Sequence, residues 1–256
     1  MFEPGVFRAT WKGMTLAAQF DAAVAAAAAE DGDGEALHLL PERLTRAAVR
    51  MLPADGAGIS VHAGRTGRTP LGASPAVASL AERLQFTTAE GPCIQAHAER
   101  QPVFAMEDDL RRRWPSFAGR LLAETPYRGA VALPMQSALA GRCTLDLYFT
   151  DPTAVARLDV FDAIAVGELM TNALSDAVIW TTWSEPAGPD WLHSPAAARR
   201  AAVWQAVGEL GMALELDASA ALATLRSHAA GTGRSVDDVA HDLLTGRLSP
   251  AELRRP

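Results

Sequence analysis

The chain has 256 residues and a formal net charge of −7, with 49% hydrophobic and 21% charged residues. These values are those of a globular protein, and the length accommodates two domains of ordinary size. No apolar run approaches the roughly 20 residues that a membrane helix needs, and no signal peptide opens the chain, so we expect a cytoplasmic protein with no membrane partner.

The acidic excess lies in the front of the chain. The first 195 residues hold 16 basic and 23 acidic side chains, whereas the remaining 61 hold seven of each. A nucleic-acid partner for the last segment therefore requires that its arginines cluster on one face.

The chain opens with a run of helix formers from Met14 to Ala29, which ends in an acidic, turn-like stretch from Glu30 to Glu35. We interpret residues 1–34 as an appended helix and turn, which packs on the same chain or on a second copy. The next apolar residues have helical spacing and predict a second helix from Ala36 to Met51.

Residues 35–180 then alternate between short strand patterns and helix patterns. The predicted strands are Ala57 to His62, Pro70 to Ala73, Pro102 to Met106, Arg128 to Met135 and Arg142 to Phe149. Pro70 indicates an edge strand or an irregular start to the strand, because proline cannot donate to a neighbouring strand. The predicted helices are Ser74 to Leu84, Gly91 to Glu99, Ser116 to Glu124 and Ala154 to Ile179. This order indicates an α+β fold with one antiparallel sheet and flanking helices.

This region resembles a GAF domain. The resemblance is carried by GAGISV (56–61), LQFTTAEGPC (84–93), PVFAMEDDL (102–110), RWPSFA (113–118) and LDLYF (145–149). It implies a sensor that binds a small molecule, or nothing, and that dimerises through its terminal helices; no residue is assigned to a ligand. Residues 181–194 follow as a linker, in which we expect Trp183 or Trp191 to be packed rather than exposed.

The last segment, residues 195–256, predicts three short helices with a common core. Ser194 caps the first, from Pro195 to Glu215, and Asp217 caps the second, from Ala218 to Ala230. Gly231 and Gly233 are expected to stop the second helix, and Ser235 opens the third.

This all-α segment resembles the ANTAR domain, an RNA-binding module of bacterial antiterminators. The matching runs are QAVG (205–208), ALATLRSHA (221–229) and TGRSVDDVAHDLL (232–244). The resemblance implies binding of paired RNA stem-loops in nascent transcripts and hence a homodimer. We expect the arginines to face outward as one positive surface, with Arg199 and Arg200 as further phosphate candidates. The predicted RNA contacts are Gln205, Arg226, His228, Arg234, Ser235 and Arg247.

Other candidate sites are weaker. No catalytic motif or metal-ligand spacing is present, so we expect no enzyme, no metal and no cofactor. Cys93 and Cys143 are interpreted as buried reduced thiols, with a redox switch as the alternative. The GRTGRT stretch (64–69) is a flexible hairpin tip or a phosphate cradle, and residues 107–113 are a solvated loop of ion pairs or a guide for an anionic ligand.

The sequence thus predicts a regulator in which GAF sensing controls ANTAR binding of RNA and transcription antitermination. The alternative is a sensory or dimerisation protein whose last domain does not bind RNA. The zero net charge of that domain favours the alternative.

Overall fold

The computed structural model describes residues 13–32, 36–63, 67–137, 141–180 and 188–253. The helices are α1 (Leu16–Asp31), α2 (Leu40–Met51), α3 (Ala76–Thr88), α4 (Pro92–Glu99), α5 (Glu107–Arg113), α6 (Pro115–Glu124), α7 (Ala154–Arg157), α8 (Val160–Trp180), α9 (Pro195–Leu214), α10 (Ala218–Thr232) and α11 (Val236–Leu244). The strands are β1 (Gly56–Ala63), β2 (Gly67–Ser74), β3 (Val103–Met106), β4 (Gly129–Ser137) and β5 (Gly141–Phe149). Short 3-10 turns lie at Leu37–Leu39, Asp190–His193 and Pro250–Leu253.

The five strands form one antiparallel sheet in the order β2-β1-β5-β4-β3. The predicted α+β class with one antiparallel sheet is therefore confirmed. β2 is an edge strand, as Pro70 predicted, and the β1–β2 register shifts between Ile59 and Ser60, close to that proline.

Each face of the sheet carries its own layer of helices, because neighbouring residues of a strand point to opposite faces. Val131 and Leu133 of β4 join a core with α1, α2 and α8, whereas Ala130 and Ala132 join a core with α3, α5 and α6. Phe20 of α1 is buried in the first core, so the N-terminal helix packs on its own chain.

Two predicted elements differ in the structure. Residues 107–113 form helix α5 rather than a loop, with three acidic residues in its first turn and three arginines in its last. This distribution complements the helix dipole, and the expected ion pairs are present at Glu107–Arg111 and Asp109–Arg112. The predicted long helix is interrupted before Val160, where Asp159 accepts hydrogen bonds from the backbone N–H groups of Phe161 and Asp162.

Residues 188–253, here called the helical unit, contain α9, α10 and α11. Ser194, Asp217 and Ser235 cap these helices through their side-chain oxygens, as predicted. The second helix continues through Gly231 to Thr232, and only Gly233 ends it, with φ +67°. Trp191 is buried, as expected for one linker tryptophan, whereas Trp183 lies outside the described residues.

The helical unit lies directly against residues 13–180, here called the sheet region. Ser194 donates a hydrogen bond to the Leu71 carbonyl of β2 (2.5 Å), and Phe86 of α3 belongs to the core of the helical unit. Within the described ranges, no helix is both long and apolar enough to cross a membrane, and no cluster of side chains suits a metal ion. Cys93 and Cys143 are buried and are not joined in a disulfide, as predicted.

Candidate site at the boundary of the sheet and the helical unit

A buried polar network lies on the sheet face that α3 and α4 cover. Its centre is Arg68 of β2, which is 4% exposed and is held between two carboxyl groups. The Arg68 guanidinium donates to the Glu82 carboxylate and to Asp146 Oδ2 (3.2 Å). It also donates to the Glu82 carbonyl and to Cys93 Sγ, both at 3.0 Å. This set of acceptors compensates a cation that would otherwise be costly to bury.

Residues of β5 and α3 complete the network. Tyr148 donates its hydroxyl proton to Glu82 Oε1 (2.6 Å), and Gln85 Nε2 donates to the Tyr148 oxygen (2.9 Å). Gln85 Oε1 accepts the backbone N–H of Cys93 (2.9 Å) at the start of α4. Gly58 of β1 allows this packing, since a Cβ there would lie 2.5 Å from the Glu82 carboxyl carbon.

The protonation of the network does not favour nucleophilic chemistry. Burial, followed by the charge of Glu82, raises the pKa of Asp146 well above its usual range. Burial likewise raises the pKa of the Cys93 thiol, even though Arg68 opposes the shift. Because the thiolate is the reactive form, Cys93 is a packed thiol rather than an activated nucleophile.

His62 and His97 form the mouth of the network. Their rings stack with centroids 3.9 Å apart, and His62 Nε2 lies 2.8 Å from Thr144 Oγ1. Burial, and then the charges of Arg68 and His97, lower the pKa of His62 to about 2. His62 is therefore neutral near pH 7.

A cleft of about 730 Å³ opens at this mouth, between the sheet region and the helical unit. This volume is within the roughly 300–1,000 Å³ that small-molecule sites have. Its polar lining comes from β1, β2, β5 and α4 with its C-terminal cap in the sheet region, and from α10 in the helical unit. These residues are His62, Arg68, His97, Arg100, Arg142 and Arg226.

Phe86 of α3 is the central contact between the two parts. It is 2% exposed, and the guanidinium carbons of Arg200 and Arg226 lie 3.2 and 4.8 Å from its ring centroid. Arg226 Nε also donates to the Phe86 carbonyl (3.1 Å), and the Trp204 ring packs edge-on at 6.2 Å. One aromatic side chain of the sheet region is thus held by three side chains of the helical unit.

Polar contacts surround this centre. Arg120 of α6 donates to the Arg234 carbonyl (2.8 Å) and to the Gly233 carbonyl (3.2 Å), where α10 ends. Thr87 accepts the backbone N–H of Val236 (3.1 Å) at the start of α11. These contacts fix the α10–α11 turn relative to α3 and α6.

Arg200 is fully buried at this boundary. It lies 3.4 Å from Asp237, and two of its nitrogens have no hydrogen-bond partner among the described residues. Burial lowers the pKa of Arg200 to about 10, with Asp237 opposing and the charges of Arg68 and Arg226 contributing. Arg200 remains a cation near pH 7, and the positive charge around Phe86 is only partly compensated.

The predicted RNA contacts do not form one outward positive surface. Arg226 is half-buried against Phe86 rather than free, and Arg234 and Arg247 both pair with Asp242, at 2.6 and 2.9 Å. The other candidates are dispersed. Gln205 is exposed on α9, His228 is half-buried on α10, and Ser235 is a buried helix cap.

Sequence reasoning missed the residues that the fold brings together. Arg68 lay in a stretch interpreted as a hairpin tip, yet it is a buried strand residue; residues 64–66 of that stretch lie outside the described residues. Phe86 lay beyond the predicted end of its helix. Two features of the sequence could have indicated these residues. Phe86 lies inside the LQFTTAEGPC run, and the period of two along a strand places Arg68 on the same sheet face as Pro70.

Comparison with protein-family models gives no match, and neither does comparison with curated proteins. One similar solved structure is a GAF domain from a phosphoenolpyruvate-protein phosphotransferase of Coxiella burnetii, with 14% identity, a TM-score of 0.40, and coverage of 64% of this chain and 96% of that one. Another is SdiA in complex with octanoyl-rac-glycerol, with 10% identity, a TM-score of 0.35, and coverage of 91% and 89%. At these scores neither likeness by itself assigns a ligand or an activity.

Proposed function

We propose that this protein is a signal-responsive regulator in which the sheet region senses a small molecule and the helical unit binds RNA. The RNA would be a pair of stem-loops in a nascent transcript, and its binding would prevent terminator formation. The RNA part of the proposal depends on the sequence resemblance of the helical unit to the ANTAR domain. It treats the protein as a binding protein rather than an enzyme.

The observation that carries the proposal is the engagement of Arg226 by the sheet region. Arg226 is a predicted RNA contact, and its Nε atom donates to the carbonyl of Phe86. A half-buried guanidinium in this position is poorly placed to pair with phosphate oxygens. The docked arrangement therefore corresponds to a state with low RNA affinity, and release of the helical unit from Phe86 would expose Arg226 and Arg200.

Such control requires two arrangements of the helical unit with different affinities for the signal. The part of the boundary formed by α10 and α11 provides for this, because it consists of one aromatic anchor, Phe86, and a few hydrogen bonds, whereas Trp191 and Leu192, which precede α9, pack in the core of the sheet region. Two stem-loops for each binding event imply two helical units, so we propose a homodimer.

The experiment is a binding titration with a labelled RNA of two stem-loops, compared with a single stem-loop. The full chain is expected to prefer the paired RNA, with affinity that falls as salt rises. The double variant R226A/R234A should bind more weakly, whereas R112Q, an exposed arginine of α5 paired with Asp109, should bind like the wild type. Equal affinity in the double variant would remove Arg226 and Arg234 from the proposal.

The alternative is a sensory protein whose helical unit only packs or dimerises. The pairing of Arg234 and Arg247 with the single carboxylate of Asp242 favours this alternative, because it neutralises part of the charge that RNA would need. Absence of salt-dependent RNA binding in the wild type, together with a concentration-dependent dimer, would select it.

A further inference from the structure

The cleft between the sheet region and the helical unit carries an excess of positive charge. Four of its lining residues are arginines, and no lining residue that the structure describes is acidic. Of the four, Arg68 is compensated from behind by Glu82 and Asp146. Arg100 and Arg142 are exposed, and neither has a carboxylate partner in the parts of the chain that the structure describes.

The fourth arginine comes from the helical unit. The Nε atom of Arg226 donates a hydrogen bond to the Phe86 carbonyl, and the two terminal nitrogens of Arg226 have no hydrogen-bond partner within the described ranges. Arg200 lies over the same ring with two unpartnered nitrogens. Like charges held this close repel each other in a partly dry boundary, so an anion bound in the cleft beside Arg226 would stabilise the docked arrangement.

We propose that this cleft binds a small organic anion, a carboxylate or a phosphate, between Arg142 and Arg100 of the sheet region and Arg226 of the helical unit. The stacked rings of His62 and His97 would support the apolar part of the ligand, since His62 is a neutral ring that already contacts Thr144. A ligand in this position touches both parts of the protein and fastens the helical unit to the sheet region.

The direction of control follows from this position. The anion binds the docked arrangement in preference to the released one, so it lowers the affinity for RNA, and RNA lowers the affinity for the anion by the same factor. This mutual effect of the anion and RNA depends on the proposed function, whereas binding of the anion does not. The two can therefore fail separately.

The first experiment measures binding by calorimetry at low ionic strength, with benzoate, benzamide and inorganic phosphate as probes. Benzoate and benzamide have the same shape and differ in charge, so the expected result is binding of benzoate or phosphate without binding of benzamide. R142Q and R226Q should each lower the affinity for the anion about tenfold or more, which is the effect of losing one charge-assisted hydrogen bond. R112Q is the matched control and should bind the anion like the wild type.

Three results would overturn the site: no anion binds, benzamide binds as tightly as benzoate, or R142Q keeps wild-type affinity while its thermal melt is unchanged. The second experiment repeats the RNA titration with the bound anion. A rise in the RNA dissociation constant supports the proposed control, and an unchanged constant refutes it. If the wild type binds the anion and no RNA at all, the site stands and the proposed RNA function fails.

Discussion

Replacing Phe86 by alanine tests whether this residue attaches the helical unit to the sheet region, independently of the stability of the sheet region itself. Phe86 is 2% exposed and belongs to the core of the helical unit, although it is a residue of α3. Burying a phenylalanine contributes roughly 1.5–3 kcal/mol, and each guanidinium over its ring adds about 0.5–2 kcal/mol. With Arg226 only half-buried and therefore near the lower value, the docked arrangement should lose about 3–5 kcal/mol.

This loss corresponds to a decrease of roughly two to four orders of magnitude in the equilibrium constant for docking. Hydrogen exchange followed by mass spectrometry should detect it, because amides of α9 to α11 would exchange much faster in F86A while those of β1, β4 and β5 keep their protection. RNA affinity should rise in the same variant if the docked arrangement masks Arg226.

Leu84 provides the matched control, since it lies two residues earlier on the same helix and packs in the core of the sheet region. L84A should lower the free energy of unfolding of the sheet region by about 2–5 kcal/mol, the usual result of a large-to-small change in a core. If F86A leaves the exchange of α10 unchanged, or if the sheet loses protection first, Phe86 is not the anchor of the helical unit.

Three further changes test the site. H62Q should make the stability of the protein less sensitive to acid. The pKa of His62 is about 2 in the folded state and 6.5 in the unfolded chain, so the unfolded chain takes up a proton first as the pH falls. Between pH 6.5 and 5, the free energy of unfolding measured in denaturant titrations should therefore fall by about 2 kcal/mol more in the wild type than in H62Q. G58A should lower the free energy of unfolding by about 1–3 kcal/mol, and with it the Tm, because the new Cβ meets the fixed Glu82 carboxyl group. G208A is the control, since the space around Gly208 is open, and its Tm should not fall. R120A removes two hydrogen bonds to the end of α10 and should loosen that turn by about 1–2 kcal/mol in hydrogen exchange, and an unchanged turn would show that these bonds are dispensable.

Local chemistry was sufficient to predict many helix ends and the type of sheet. Ser194, Asp217 and Ser235 cap the helices at which the sequence placed them, since a cap depends only on neighbouring backbone groups. Pro70 indicated an edge strand for the same reason, because proline removes a donor wherever it stands. The GAF and ANTAR resemblances remain predictions that come from the sequence alone.

Only the tertiary structure decided which charges are free. Arg226 lies off the apolar stripe of its own helix, and the sequence therefore indicated an exposed side chain, but α3 brings Phe86 over it. Arg234 and Arg247 are thirteen positions apart and meet on one carboxylate, Asp242. Helical spacing reports the faces of a single element, whereas the environment of a charge depends on the element packed against it, which can be more than a hundred residues away in the chain.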